Sequence, residues 1–241
     1  MKSGEQKLAL VTGAAHRVGR IFAMCLARQG FHILLHYHRS KNEAEQTIQE
    51  IRKAGFSATL ACANLLEPDE IHELFKIVDG LSFPLKVLVN SAAVMKSGDA
   101  RTLSLSDWDD TFKLNLRAPF LCAQEAAIRM ESGVIVNITD VGAAKSWSGF
   151  PSYAVSKAAL ESLTRILARA LAPDIRVNAI APGLIMPGKG FSTEKWNKLV
   201  QRVPLHRTAA ENEIEEGLTF LLSNPYVTGQ TLVIDGGYSL I

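Results

Sequence analysis

The chain has 241 residues, 47% of them hydrophobic and 21% charged, and 26 Lys and Arg against 24 Asp and Glu leave a net charge of +2. That composition packs a core: it excludes disorder and low-complexity repeats, and no apolar run approaches the ~18–20 residues that span a bilayer. The balanced charge offers no basic face for nucleic acid and no polybasic patch for a membrane, and the polar MKSGEQK start, leading straight into LALV, reads as a cytosolic rather than a secreted protein.

In chain order, a strand is predicted at 8–12 (LALVT), followed by a helix at 18–29 with Val18, Phe22 and Leu26 near the helical period. A strand at 31–37, an amphipathic helix at 41–53 and a strand at 57–63 come next. Pro68, Asp69 and Glu70 open a helix over 68–79. A strand at 86–90 leads to a helix over 107–130 with Ser106 as its N-cap, and a strand at 133–139 to a helix opened by Pro151 and stopped before Pro173. The last pieces are a strand at 175–181, a helix at 211–223 and a strand at 231–235. Several strands are continuous apolar runs, the pattern of strands covered on both faces. The alternation predicts an α/β chain: a single doubly wound Rossmann domain over 1–241, with about seven parallel strands and helices on both faces. The long stretch 182–210, with Pro182, Gly183, Pro187, Gly188 and Gly190, is expected to be an irregular substrate loop. Cys25, Cys62 and Cys122 lie far apart in apolar surroundings and read as buried small side chains, not as a disulfide or zinc set.

The first predicted strand ends in Thr12-Gly13-Ala14-Ala15-His16-Arg17-Val18-Gly19. Glycines between a strand and a helix start let backbone approach a pyrophosphate at the positive end of the helix dipole. The spacing is G-x-x-x-R-x-G, so Arg17 stands where a central glycine is common and puts a cation beside the phosphates. The second strand ends in His36-Tyr37-His38-Arg39-Ser40, with no acid between 31 and 42. An acid there selects a ribose hydroxyl, whereas Arg39 and Ser40 suit a 2′-phosphate, which points to NADP. His36 and His38 have H-x-H spacing without a third ligand, and no metal site is expected.

Tyr153 and Lys157 are four apart on a predicted helix and share a face. An ammonium beside a phenol lowers its pKa and makes it a general acid for a developing alkoxide or amide anion. Asp140 follows the fifth predicted strand at its carboxyl end, where doubly wound folds hold their ligands. Trp147, Phe150, Met186 and Trp196 flank this region and could stack on a planar ring.

With these residues assembled, the sequence resembles the short-chain dehydrogenase/reductase family over nearly its whole length. The likeness is carried by Thr12–Gly19, Asn90 after LV, Asn115 in KLNLRAPF, Tyr153-x-x-x-Lys157, Pro182-Gly183 and the terminal VTGQTLVIDGG. It implies hydride transfer from a nicotinamide cofactor, with Tyr153 as proton donor, Lys157 on the nicotinamide ribose and Asn115 holding a relay water. Cofactor contacts are implied along the glycine turn at Gly13, His16, Arg17, Val18 and Gly19 and at the second strand end at His38, Arg39 and Ser40. Further contacts are implied at Asn64 and Leu65, at Asn90, Ser91 and Ala92, at Tyr153 and Lys157, and at Pro182, Gly183 and Ile185.

Within the family the chain looks most like pteridine and dihydromonapterin reductases. Arg17, the HYHRS run, Asp140 where most members have serine, and ALAPDIRVNAIAPGLI carry that likeness. It implies an NADPH-dependent reductase of a pteridine C=N bond, acting as a homotetramer paired through 107–130 and 151–172 and aided by the apolar YSLI tail. Substrate contacts are implied at Arg17, Met95, Asp140, Trp147, Tyr153, Leu184 and Met186. Ala93 replaces a common serine or glycine, Met95 a stacking phenylalanine and Asn64 an aspartate. The alternatives are a reductase of a small ketone or 3-oxoacyl thioester and, last, a non-catalytic dinucleotide sensor.

Overall fold

The computed structural model describes residues 6–145, 147–188 and 190–241. Seven strands form one parallel sheet: β1 (Leu8–Thr12), β2 (His32–Tyr37), β3 (Ala58–Cys62), β4 (Leu85–Asn90), β5 (Gly133–Ile138), β6 (Ile175–Pro182) and β7 (Thr231–Ile234). Their order is β3-β2-β1-β4-β5-β6-β7, so the direction of winding reverses between β1 and β4. The carboxyl ends of these two strands lie side by side, with Thr12 paired to Asn90. A crevice at such a reversal is where open α/β sheets hold ligands.

The strands are apolar at successive positions because the two faces of the sheet carry separate cores. In β1, Ala9 and Val11 face one cluster with Phe22, Leu26, Ile48 and Ile214, while Leu8 and Leu10 face another with Leu74, Phe75 and Cys122. The first face is covered by α1 (Arg17–Arg28), α2 (Lys41–Lys53) and α9 (Glu211–Ser223). The second is covered by α3 (Pro68–Asp79), α5 (Ala118–Arg129) and α7 (Pro151–Ala170). Phe22 and Phe75 are fully buried, and side chains of that size contribute about 1.5–3 kcal/mol each.

The structure departs from the sequence-based elements in three places. The expected helix over 107–130 is α4 (Leu105–Phe112), a π-helical turn at Lys113–Arg117, and α5. Its cap is Ser104, not Ser106: the Ser104 hydroxyl accepts the Asp107 N–H at 3.0 Å and donates to the Asp107 carboxylate at 2.9 Å. Within 182–210 the chain forms α8 (Thr193–Arg202), capped by Ser192 and burying none of its residues. A short helix α6 (Gly142–Lys145) follows β5. Cys25 and Cys122 are buried as expected, but Cys62, on β3 toward the sheet edge, is exposed. The C-terminal segment folds back on its own chain: Tyr238 is buried against Trp147 and Val203, with Leu240 and Ile241 left exposed.

A buried polar chain ties the sheet to α7. Asn90 donates to the Asn137 side-chain oxygen at 2.9 Å, and Asn137 donates to the Thr164 hydroxyl at 2.9 Å. All three residues are nearly inaccessible. Replacing Asn137 with Ala strands one Asn90 N–H in the core, and an unsatisfied buried donor costs ~1–3 kcal/mol on top of lost packing. Urea denaturation of Asn137→Ala should show a loss of about 2–4 kcal/mol, whereas a loss within error of zero would mean that the chain relaxes around the gap.

Candidate active site

Asp140 lies just past β5, and Tyr153 lies in the first turn of α7. Their side chains meet: the Tyr153 hydroxyl donates to Asp140 Oδ2 at 2.9 Å. The other carboxylate oxygen accepts the Gly142 N–H at 2.6 Å, which fixes the carboxyl plane. A Cβ on Gly142 would stand 2.8 Å from the Trp147 ring and 3.0 Å from Asp140 Oδ1, so this turn has room only for glycine.

Burial, the leading influence, raises the Asp140 carboxyl above its usual range, opposed by the Gly142 N–H, the Tyr153 hydroxyl and Lys157. Burial and then Asp140 push the Tyr153 hydroxyl well above its ordinary value. The expected lowering of the phenol by Lys157 is therefore not what this arrangement produces. The Lys157 ammonium donates to the Ile138 carbonyl at 2.6 Å and lies 5.8 Å from the centre of the Tyr153 ring. Burial brings its own pKa down to about 8, against an upward pull from Asp140. The phenol thus keeps its proton until something accepts it, which is the state a general acid needs.

Asn115 lies in the π turn and is fully buried. Its amide nitrogen donates to the Val94 carbonyl at 2.9 Å and to the Ser156 hydroxyl at 3.1 Å, and its oxygen accepts the Val94 N–H at 2.9 Å. Ser156 donates in turn to the Tyr153 carbonyl at 2.8 Å. Through these bonds the Asn115 amide clamps the segment after β4 to the turn of α7 that carries Tyr153. The wider π turn is what the sequence pattern missed, and it is a frequent mark of a functional site.

The glycine turn is built by close approach. Gly13 has φ +64°, and a Cβ there would stand 2.7 Å from Ala92 Cα; one on Gly19 would stand 2.3 Å from the Gly13 carbonyl. Thr12 accepts the N–H groups of Ser91 and Ala92 at 3.0 and 3.2 Å, binding the ends of β1 and β4 together. His16 caps α1 with no side-chain bond to the first-turn N–H groups. A narrow backbone cradle at a helix N-terminus without a side-chain cap fits a phosphate group.

Arg17 opens α1 at φ +56°, in the left-handed region. Its guanidinium does not stand free beside the turn: it donates to the Pro187 carbonyl at 2.7 Å and to the Met186 carbonyl at 3.1 Å. Val18 is half-buried and Gly19 buried. At the end of β2, His38 and Arg39 are exposed and Ser40 is half-buried. Leu65 is buried, and the Asn64 side-chain oxygen accepts the Leu66 N–H at 3.2 Å. Asn90 is turned into the core and presents only backbone to the crevice.

On the far side of the crevice, Gly183 donates to the Ile234 carbonyl at 2.9 Å and Pro182 is buried. Ile185 and Met186 pack on the core, and Met95 is 46% exposed. Trp147 is half-buried and packs against the cluster of Val141, Val203 and Tyr238. Trp196 meets Phe191 edge-on at 6.0 Å.

Fold and site together define a dinucleotide-dependent oxidoreductase. A family model described as Enoyl-(Acyl carrier protein) reductase matches residues 13–239, and the chain belongs to the short-chain dehydrogenase/reductase family. It is 34% identical over 239 residues to the 3-oxoacyl-[acyl-carrier-protein] reductase FabG of Staphylococcus epidermidis, an alignment covering 96% of this chain and 98% of that one. It superposes on FolM Alternative dihydrofolate reductase 1 from Brucella canis, complexed with NADP, with a TM-score of 0.92 and 34% identity, covering 98% of this chain and 94% of that one. A blue fluorescent protein from a metagenomic library, in complex with NADPH, gives a TM-score of 0.90 and 31% identity, with 97% and 98% covered. These bound cofactors are the ones expected from the sequence. No helix among the described residues is long and apolar enough to cross a membrane.

His36 is a structural residue that the sequence pattern did not reveal. It turns inward, accepts the Gly13 N–H on Nδ1 at 3.1 Å and donates from Nε2 to the Ala63 carbonyl at 3.0 Å. Burial, the larger influence, brings its pKa from 6.5 down to about 4. Between those values the unfolded chain takes up a proton that the folded chain refuses, so stability falls on acidification by up to roughly 3 kcal/mol. Urea denaturation at pH 7 and pH 5 should show about 2 kcal/mol of this loss in the native chain, and His36→Gln, which cannot titrate, should lose that much less over the same interval. Equal losses in the two chains would place the acid sensitivity elsewhere.

Proposed function

We propose that the chain is an NADPH-dependent reductase of C=N or C=O groups, with a dihydropterin-type pteridine as its substrate. The observation that carries this reading is the buried contact between the Tyr153 hydroxyl and the Asp140 carboxyl. Reduction of a ring C=N bond puts a hydride on carbon and a proton on nitrogen, and the phenol can give that proton and be recharged from a carboxyl held above its usual range. The likeness to FolM, whose structures are described as an alternative dihydrofolate reductase, supports the same substrate class.

When bound, the nicotinamide ring supplies the hydride. The glycine turn from Gly13 to Gly19 would hold the phosphates, Arg39 and Ser40 the 2′-phosphate, and Lys157 the ribose. Asn115, through Ser156, keeps the Tyr153 turn of α7 in register with the segment after β4. The likeness to FabG favours a second reading, in which a 3-oxoacyl thioester takes the place of the pteridine. In that reading Tyr153 supplies the proton for an alkoxide and Asp140 has less to do.

The homotetramer implied by the family resemblance is part of this proposal. A groove of about 640 Å³ between α4–α5 and α7 exposes Phe120 and Ile166, an apolar surface of the kind that marks an interface. Sedimentation velocity would read it as four copies rather than one.

NADPH oxidation, followed against dihydropterins, ketones and 3-oxoacyl thioesters, separates the two readings. Tyr153→Phe should lower turnover by about 10²–10⁴-fold with any of them and leave NADPH affinity nearly intact. Asp140→Ser should depress dihydropterin reduction about tenfold more than ketone reduction and remove one limb of its pH profile. Free reduction of thioesters without turnover of any pterin would establish the second reading.

Cofactor choice rests on Arg39, since a charge-assisted phosphate contact is worth ~1.5–3 kcal/mol, or roughly ten- to a hundredfold. Calorimetry should show NADPH preferred over NADH, and Arg39→Asp should reverse the order. Equal binding of the two cofactors by the native chain would sink the assignment.

A further inference from the structure

The sequence places Arg17 beside the phosphates as a cation, and in the structure its guanidinium is engaged by main-chain carbonyls. Its two terminal nitrogens reach across 169 and 170 residues of chain to the Met186 and Pro187 carbonyls, at 3.1 and 2.7 Å. We propose that Arg17 is a positioning residue for substrate binding: by forking onto the Met186–Pro187 main chain, it locks the segment after β6 to the phosphate turn. The proposal rests on the reading of 182–210 as the substrate side of the site.

Two independent observations support it. The first is backbone conformation. Arg17 has φ +56°, a region that glycine enters freely and a residue with a Cβ does not. Glycine would suit this backbone better, so the strain at Arg17 is offset by the contacts its side chain makes. A planar guanidinium can serve two adjacent carbonyls at once, which an ammonium at the same place cannot do with the same geometry.

The second is how the segment is held along its length. Its start is fixed by the sheet: Gly183 donates to the Ile234 carbonyl, and the Leu184 carbonyl accepts the Ala209 N–H at 2.9 Å. Its far end is fixed beyond α8, where Val203 is buried and Arg207 grips the Glu213 carboxylate at 2.6 and 2.7 Å. Between these anchors no residue of α8 is fully buried, and only Trp196, Leu199 and Val200 are half-buried, so the placement of its N-terminal side depends strongly on the packing of Ile185 and Met186 and on the Arg17 fork. A helix with few buried contacts opens locally at low cost, and the bonds at its ends set how often it does so.

Trypsin provides a direct readout, because Lys195 and Lys198 are exposed on α8. The variants Arg17→Gly and Arg17→Lys separate the fork from the charge: glycine removes both and relieves the left-handed residue, while lysine keeps the charge alone. Cleavage after Lys195 and Lys198 should run about tenfold faster in both variants. The thermal midpoint of Arg17→Gly should stay at or above that of the native chain. With a dihydropterin substrate, Arg17→Lys should raise KM about tenfold and change kcat by less than about threefold, the signature of lost binding without lost chemistry. Cleavage at the native rate in both variants overturns the proposal, and so does faster cleavage matched by an equal fall in global stability. If no pterin is turned over, the substrate reading fails and the cleavage rates still decide the role of Arg17.

Discussion

The site depends on keeping a carboxyl and a phenol together out of water. The Asp140–Tyr153 bond is 2.9 Å long, and burial dominates the titration of both partners. An isolated buried carboxylate would be costly, and the surrounding architecture reduces that cost. Gly142 supplies an N–H to the other oxygen, Lys157 stands near with its charge turned to the Ile138 carbonyl, and the Asn115–Ser156 link prevents α7 from sliding. The Asn90–Asn137–Thr164 chain then fastens the same helix to the middle of the sheet. Much of the buried polar network is thus gathered against α7, with His36, Thr47 and Asn178 as buried polar groups elsewhere in the core.

The repeating strands and helices were legible in the sequence because their signals are local. Apolar runs on both faces of each strand and punctuation by Pro68, Pro151 and Pro173 place most boundaries within a residue or two of those observed. The π turn was not legible: Lys113–Arg117 carries a helical pattern, and only the Val94 backbone, distant in sequence, draws Asn115 out of register. α8 was hidden by the prolines and glycines before it, although Trp196, Leu199 and Val200 at helical spacing after Ser192 were an available signal.

The candidate site divides in the same way. Asp140, Tyr153 and Lys157 could be placed because strand end and helix face follow from spacing. Side chains whose partners lie far along the chain could not be placed. The sequence offered His36 as half of an H-x-H pair, whereas the fold uses it to hold Gly13 to Ala63. The packing of Trp147 between α6 and the C-terminal segment was likewise invisible in the sequence, because Tyr238 and Val203 lie far along the chain.

The lack of buried side chains in α8 has a consequence for how such a protein diversifies. Substitutions in a core are filtered by packing, because each lost methylene is felt by its neighbours. A helix with no side chain in either main core is less subject to that filter. Its residues can change at little cost to folding, while substitutions in the elements that build the two cores cannot.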